Sequence, residues 1–196
     1  MIIDIFKTSI YRNRLNDKEL DKLILETLKN PKYTNINKSN IGGKQIHPNE
    51  TKIEKRLLEN FTTCLPDYFE GASIQHNIIK WQIKNYWINE NYKYNYNMTH
   101  MHPDTHLSGV YYCKVPKNSG NIVFIDGYKD LKNIWSTPPL ECSLQNSEYT
   151  ITPFAGLLLL FPSYLHHYVT QSNSDDSRIS LSFNINFYGS EKTTNN

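Results

Sequence analysis

Cysteine is scarce in this chain, and what there is cannot be paired off. Cys64, Cys113 and Cys142 are odd in number and lack metal-type spacing. That excludes a disulfide framework or a zinc ribbon and fits buried free thiols in a reducing compartment. Long apolar runs are missing too. The longest, Phe154 to Phe161, contains Gly156 and is far too short to span a bilayer. Neither sign of charge dominates: 21 Lys and Arg against 19 Asp and Glu leave a net charge of +2, too mild to argue for a nucleic-acid partner. Met1 to Phe6 shows no basic segment followed by an apolar core and a cleavage site, so no signal peptide is expected. The expectation is a cytoplasmic protein with no membrane or nucleic-acid partner; a homodimer stays open.

What the chain has in quantity is tyrosine, with 14 residues in 196. This offsets an apolar content of only 38%, because a tyrosine ring buries well while its hydroxyl takes a polar partner. The length suits one domain over 1–196, with a helical layer in 1–72, a β core in 73–188 and a disordered tail in 189–196. Ile2 to Tyr11 reads as a short first strand. Asn16 to Asn30 reads as a helix, with Asn16 as cap, Glu19 completing a capping box, and Leu20, Leu23, Ile24 and Leu28 as its apolar stripe. Pro31 to His47, with Gly42-Gly43, reads as a loop. A second helix follows, with Thr51 and Glu54 as another capping box, Ile53, Leu57, Leu58, Phe61 and Leu65 on one face, and an end expected near Pro66.

From Ser73 onward the period is two. Eight short strands are expected: around Ile79 to Trp87, in the Tyr92 to His102 stretch, and over Leu107 to Val115, Ile122 to Asp126, Tyr149 to Thr152, Gly156 to Phe161, Tyr168 to Gln171 and Arg178 to Phe187. The fold class is therefore mainly β with some helix: an antiparallel, jelly-roll-like barrel with two N-terminal helices packed outside. Gly127 to Ser147 is a long irregular connection of the kind that covers a site. With Pro31 to His47 it is expected to set substrate choice.

The chemistry concentrates in Tyr92 to His102. Every even position there is a large aromatic, a Met or a His. As one strand, this puts His100 and His102 on one face, after a packed row of Tyr92, Tyr94, Tyr96 and Met98. Two imidazoles on one strand face make a candidate metal site. The third ligand is His167 or its neighbour His166, just past the Phe161-Pro162-Ser163 turn. A facial set of three ligands leaves positions open for co-substrate and oxygen. On the last strand Arg178, Ser180, Ser182, Asn184 and Asn186 share one face, and Ile179, Leu181, Phe183, Ile185 and Phe187 share the other. The Arg178 fork suits a carboxylate, and Ser180 can add a hydrogen bond. Tyr111 and Tyr112 must face opposite ways, one into a pocket wall and one toward the outer layer. His106 lies beyond the turn and reads as a pocket or surface residue. Cys113 and Cys142 read as packing residues.

Four separated segments then resemble a known family: His100-Met101-His102-Pro103; Leu107-Ser108-Gly109-Val110-Tyr111-Tyr112 running to Val115-Pro116; Phe161-Pro162-Ser163 with His167; and Arg178-Ile179-Ser180. Over Ile79 to Phe187 the chain resembles the 2-oxoglutarate/Fe(II)-dependent oxygenases, within them an uncharacterised group of marine bacteria and their phages. For a phage protein that would mean the host cytoplasm. The resemblance implies a double-stranded β-helix, and Fe(II) on His100, His102 and His167. It implies 2-oxoglutarate held by Arg178 and Ser180 with Tyr112 nearby, and O2 and an unknown second substrate as the other reactants. Decarboxylation of 2-oxoglutarate to succinate and CO2 would accompany hydroxylation of that substrate.

One departure stands out. The family's first pair usually ends in Asp or Glu, and here His102 takes that place. His102-Pro103-Asp104 offers Asp104 as an alternate ligand, although Pro103 breaks the strand between them; strand parity favours His100 with His102. Three neutral imidazoles leave the metal its full double charge. Two other readings remain at this point: a cupin-like three-His dioxygenase that does not use 2-oxoglutarate, and a non-enzymatic jelly-roll module such as a phage structural or binding protein.

Overall fold

The computed structural model describes residues 7–30, 38–74, 79–127 and 147–189. The expectations for 1–6, 31–37, 128–146 and 190–196, among them Cys142, most of the long connection and the tail, lie outside the described residues. In order the elements are β1 (Tyr11–Arg14), α1 (Lys18–Leu28), β2 (Asn40–Ile41), β3 (Lys44–Ile46), α2 (Thr51–Gly71), β4 (Ile79–Asn91), β5 (Tyr96–His100), β6 (Leu107–Lys114), β7 (Ile122–Ile125), β8 (Glu148–Ile151), β9 (Leu157–Pro162), β10 (His167–Val169) and β11 (Arg178–Gly189). They form a six-stranded sheet, ordered β1-β9-β6-β11-β4-β3, facing a five-stranded sheet, ordered β2-β5-β10-β7-β8. Every described strand pair is antiparallel. This is a double-stranded β-helix with a strand in each of the eight stretches the period predicts; the second is shorter than expected, Tyr96–His100 of Tyr92–His102, and the first strand of the chain lies at Tyr11–Arg14, with residues 7–10 ahead of it not strand.

The six-stranded sheet is apolar on both faces, which period-two strands achieve by alternating two sets of side chains. Leu158 and Leu160 of β9, Leu107 and Tyr111 of β6, and Ile179, Leu181, Phe183 and Ile185 of β11 face outward into one core with both helices. Leu157, Leu159, Phe161, Val110 and Tyr112 face inward, with Ile122, Phe124 and Ile151 of the smaller sheet, into a second core. The helices are thus the outer lid of the larger sheet. Leu20 and Ile24 of α1, and Ile53, Leu57, Phe61 and Leu65 of α2, are fully or almost fully buried there. Phe61 meets Phe183 at 4.8 Å and Trp81 at 5.8 Å between ring centroids. Gly109 permits this closeness: a Cβ there would lie 2.4 Å from Phe183 and 2.7 Å from the Leu159 carbonyl oxygen. Among the described residues no helix is long and apolar enough to cross a membrane.

Several local expectations change. The cap of α1 is Asp17, not Asn16. The Asp17 carboxylate accepts from the Leu20 amide at 3.0 Å, while Asn16 takes the left-handed conformation just before it. The cap of α2 is Glu50, with no side-chain capping bond, and not Thr51; Pro66 lies inside α2, not at its end. The helix loses one backbone hydrogen bond there, yet it continues because Tyr68 and Phe69 still have an apolar core to enter. The expected loop to His47 contains β2 and β3, one in each sheet, joined through Gly42-Gly43. In β4 an extra residue, Lys84, bulges between the pairs Asn85↔Asn184 and Ile83↔Ile185. The parity of Trp87 flips as a result. It does not share the outer face of Trp81 and Ile83, and it lines the barrel interior with Asn89 and Asn91.

Asp17 also ties the helices together. Its other oxygen accepts from Arg56 Nε at 2.7 Å and Asn60 Nδ2 at 2.8 Å. Burial, the largest single influence, pushes this carboxyl up. The hydrogen bonds from Arg56, Asn60 and the Leu20 amide outweigh it and hold the carboxyl below its usual range. Asp17→Asn should therefore destabilise the fold by about 1–3 kcal/mol at pH 7. Since the folded carboxyl titrates below its unfolded value of about 3.9, the wild-type advantage is full above that pH and shrinks as pH falls through the folded pKa. Urea midpoints of both proteins at pH 7 and pH 3 measure it.

Candidate metal centre

The site begins with a bulge. His167 of β10 pairs with His100 of β5, but Val169, two residues on, pairs with Asn97, three residues back. One extra residue in β5 breaks the alternation, so Met98 and Thr99 both stay exposed while Asn97 and His100 both line the barrel interior. The packed row expected before the histidines is therefore absent. Tyr92, Tyr94, Tyr96 and Met98 are 48%, 62%, 37% and 49% exposed. Residues 92–95 are not strand at all; they cross from one sheet to the other, with Tyr94 in the left-handed conformation.

From His100 onward the parity reading applies. His100, His102 and His167 each direct a ring nitrogen into one cluster, all within 4.8 Å of one another, and His102 Nε2 stands 3.4 Å from His167 Nε2. His102 lies just beyond β5, held by its amide donating to the Ser163 carbonyl at 2.9 Å and by Trp87, 5.5 Å away between ring centroids. His167 is buried against Phe161 and Phe124. The neighbouring candidates lie apart from the cluster. His166 is exposed just before β10, and Asp104 is exposed on a turn with φ of 59°. His106 is also exposed, stacked on Phe187.

The donor chemistry of the cluster suits a divalent transition metal. His100 Nδ1 lies 2.7 Å from the Met98 carbonyl oxygen, and His167 Nδ1 lies 2.8 Å from that of Leu165. A carbonyl only accepts, so each Nδ1 carries the proton and each Nε2 keeps its lone pair for a metal. Burial, followed by the neighbouring imidazoles, lowers His167 to about 3 and His102 to about 4. Burial lowers His100 as well. All three rings are thus neutral, the form that ligates.

The second half of the site lies deeper in the same pocket. Arg178, Ser180 and Ser182 of β11 line it beside Asn89 and Asn91 of β4, Tyr112 of β6 and the three histidines. Arg178 is 2% exposed. Its Nη1 donates to the Ser119 carbonyl at 2.9 Å and, at 3.5 Å, to that of Gly120; its Nη2 donates to Asn91 Oδ1 at 3.2 Å. Its buried Nε has no hydrogen-bond partner among the described residues, nor does any carboxylate there pair with it. A buried guanidinium with a spare donor and no counter-ion among the described residues has the donors to receive an anion. Tyr112 faces the pocket and Tyr111 faces α1, where its hydroxyl donates to Asp21 at 2.8 Å. Burial pushes the Tyr112 phenol up to about 12, with Arg178 opposing, so it stays a neutral donor. Cys64 and Cys113 are buried free thiols outside this pocket. A roomier groove of about 630 Å³, lined by Tyr96, Met98, Glu148 and Tyr168 among others, holds none of the three histidines.

Trp87, Asn89, Asn91 and Asn97 are pocket residues that pattern reading missed. The bulge in β4 moved the first three and the bulge in β5 moved Asn97.

A family model described as "Putative 2OG-Fe(II) oxygenase" matches residues 85–184, just over half of the chain. No curated protein matches it. Among solved structures, a Pseudomonas putida prolyl-4-hydroxylase is 14% identical with a TM-score of 0.61, covering 93% of this chain and 94% of its own. A viral collagen prolyl hydroxylase from Paramecium bursaria Chlorella virus-1, in complex with 2-oxoglutarate, is 14% identical with a TM-score of 0.59, covering 90% and 94%. HygX from Streptomyces hygroscopicus, with nickel and 2-oxoglutarate bound, is 8% identical with a TM-score of 0.60, covering 94% and 84%. These likenesses establish a shared fold; the family match goes further, and by it this chain belongs to the 2-oxoglutarate/Fe(II)-dependent oxygenases.

Proposed function

We propose that His100, His102 and His167 hold the Fe(II) of this oxygenase, and that Arg178 and Ser180, with Tyr112 beside them, receive the far carboxylate of 2-oxoglutarate. The observation that carries this reading is the presence, in one pocket, of three neutral imidazoles and a buried guanidinium with no carboxylate partner among the described residues. A three-His centre without 2-oxoglutarate would leave that guanidinium with no anion to meet. Bound together, Fe(II) and 2-oxoglutarate supply the activation of O2, the release of CO2 and succinate, and hydroxylation of a C–H bond on the second substrate.

The chain's own contribution is positional. The Nδ1 bonds to the Met98 and Leu165 carbonyls fix which nitrogen each ring offers, and the Ser163 carbonyl anchors the backbone of His102. Arg178 and Ser180 are two residues apart on β11 and so point the same way. Phe161, Phe124 and Val110 exclude water from the pocket floor. His166 and Asp104 have no part in this arrangement.

Replacing His100 or His167 by Ala should weaken Mn(II) binding, measured by anaerobic titration calorimetry, on the order of 100-fold. His166→Ala and Asp104→Asn should bind as the wild type does; loss of metal in either reassigns the ligand set. Arg178→Ala should raise the KM for 2-oxoglutarate in a succinate assay by about 30-fold or more, with Arg178→Lys falling between because it lacks the planar fork. An unchanged KM in Arg178→Ala removes the residue from this role.

A further inference from the structure

Arg178 is surrounded by oxygen atoms, none of which is charged among the described residues. Two are backbone carbonyls, and the third is the side-chain amide of Asn91. A guanidinium only donates, so Asn91 must turn Oδ1 toward it and Nδ2 away. The Nδ2 then donates to Asn40 Oδ1 at 2.5 Å, and Asn40 Nδ2 reaches the Lys44 carbonyl at 3.4 Å. Asn40 and Asn91 are each 1% exposed. The two amides fit only because residue 43 is glycine: a Cβ there would lie 2.7 Å from Asn40 Oδ1, 2.7 Å from Asn91 Nδ2 and 2.8 Å from Asn40 Nδ2. The turn between β2 and β3 is thus packed directly on the group that orients the arginine.

The charge of the Asn91 side chain matters as much as its aim. Aspartate has the same shape and would hold the guanidinium at least as well. It would also neutralise it inside the protein, leaving little attraction for an incoming carboxylate. An amide orients the cation and leaves its charge uncompensated. We propose that Asn91 is a positioning residue that keeps Arg178 both aimed and electrostatically free, and so sets the preference for a 2-oxo acid with a second carboxylate, with Asn40 and Gly43 holding Asn91 in place. This rests on the reading of Arg178 as the carboxylate anchor.

The test compares two 2-oxo acids that differ in the far carboxylate, 2-oxoglutarate and 2-oxobutyrate, by anaerobic calorimetry on the Mn(II)-loaded protein. Asn91→Asp should weaken 2-oxoglutarate by about tenfold or more and leave 2-oxobutyrate close to its wild-type affinity. The Tm of the ligand-free protein should stay close to wild type, because the variant gains an internal ion pair with Arg178 but loses the hydrogen bond that Asn91 Nδ2 donates to Asn40. Gly43→Ala should move the 2-oxoglutarate affinity in the same direction by displacing the amide pair. Unchanged discrimination between the two acids in Asn91→Asp, or equal loss of both with a fallen Tm, overturns the proposal. Arg178→Ala run in parallel separates the two readings. Wild-type 2-oxoglutarate affinity there sinks the anchor itself. Loss there with no change in Asn91→Asp sinks only the role of Asn91.

Discussion

One extra residue in β5 decides what kind of pocket this is. A strand alternates strictly, so a face that carried His100 inward without a bulge would carry Met98 and Tyr96 inward with it. The pocket beneath the imidazoles would then be filled by a thioether and an aromatic ring. The bulge between Asn97 and His100 moves both large side chains to the surface and turns Asn97 in. A small polar side chain then joins the histidines and Arg178 in the pocket lining. The bulge in β4 at Lys84 has a related consequence, since it brings Trp87 against His102 and puts Asn89 and Asn91 on the interior face. Bulges beside functional sites commonly re-aim side chains in this way.

The remaining strands must resist the opposite error, a slip that would exchange pocket and core. On β11 a shift of one residue would put Ile179 and Leu181 where Arg178 and Ser180 stand. The helices prevent it. Ile179, Leu181, Phe183 and Ile185 are held in an apolar core with α1 and α2, and burying a guanidinium in their place would cost far more than any slip could recover. The N-terminal helices contribute no residue to the pocket, but they determine which face of β11 the pocket receives. Asp17, by joining both helices through Leu20, Arg56 and Asn60, supports that register from a distance.

This division explains what could be read before any coordinates. β11 was legible because both of its faces have partners, so its polar and apolar sets separate cleanly over ten residues. Tyr111 and Tyr112 were legible as a split pair for the same reason, and the stripe on α2 from Ile53 to Leu65 was legible because helix and core share one period. The bulges were not, because an inserted residue carries no compositional mark and shifts parity silently; Tyr92 to Met98 looked like a buried row for that reason. β2 and β3 were invisible as strands of two and three residues, too short to show any period. Asn16 and Asp17 are both good caps, and only the left-handed turn at Asn16 separates them. Asn40 and Asn91 meet across 51 positions, where the only nearby sign of a tight fit was the glycine pair at Gly42-Gly43.

The proposed ligand set also carries a charge that has to be met. Fe(II) on three neutral imidazoles, with Arg178 nearby, brings three positive charges to a pocket that receives two negative ones from 2-oxoglutarate. A carboxylate in place of His102 would close that gap; here no described ionised group does. What the pocket offers is oriented dipoles. The Ser119 and Gly120 carbonyls and Asn91 Oδ1 surround the guanidinium, and Asn89 Oδ1 lines the same pocket, buried and without a partner among the described residues. The carbonyls on the Nδ1 atoms of His100 and His167 raise the basicity of the donating nitrogens. Fixed dipoles in a low-dielectric site stabilise charge without a counter-ion, since they need no reorganisation when the charge arrives. Under the proposed ligand set, several neutral acceptors spread over β4, the β6–β7 turn and the backbone beside the ligands would solvate the excess positive charge without neutralising it, in a pocket whose described lining is rich in amides and holds no acid.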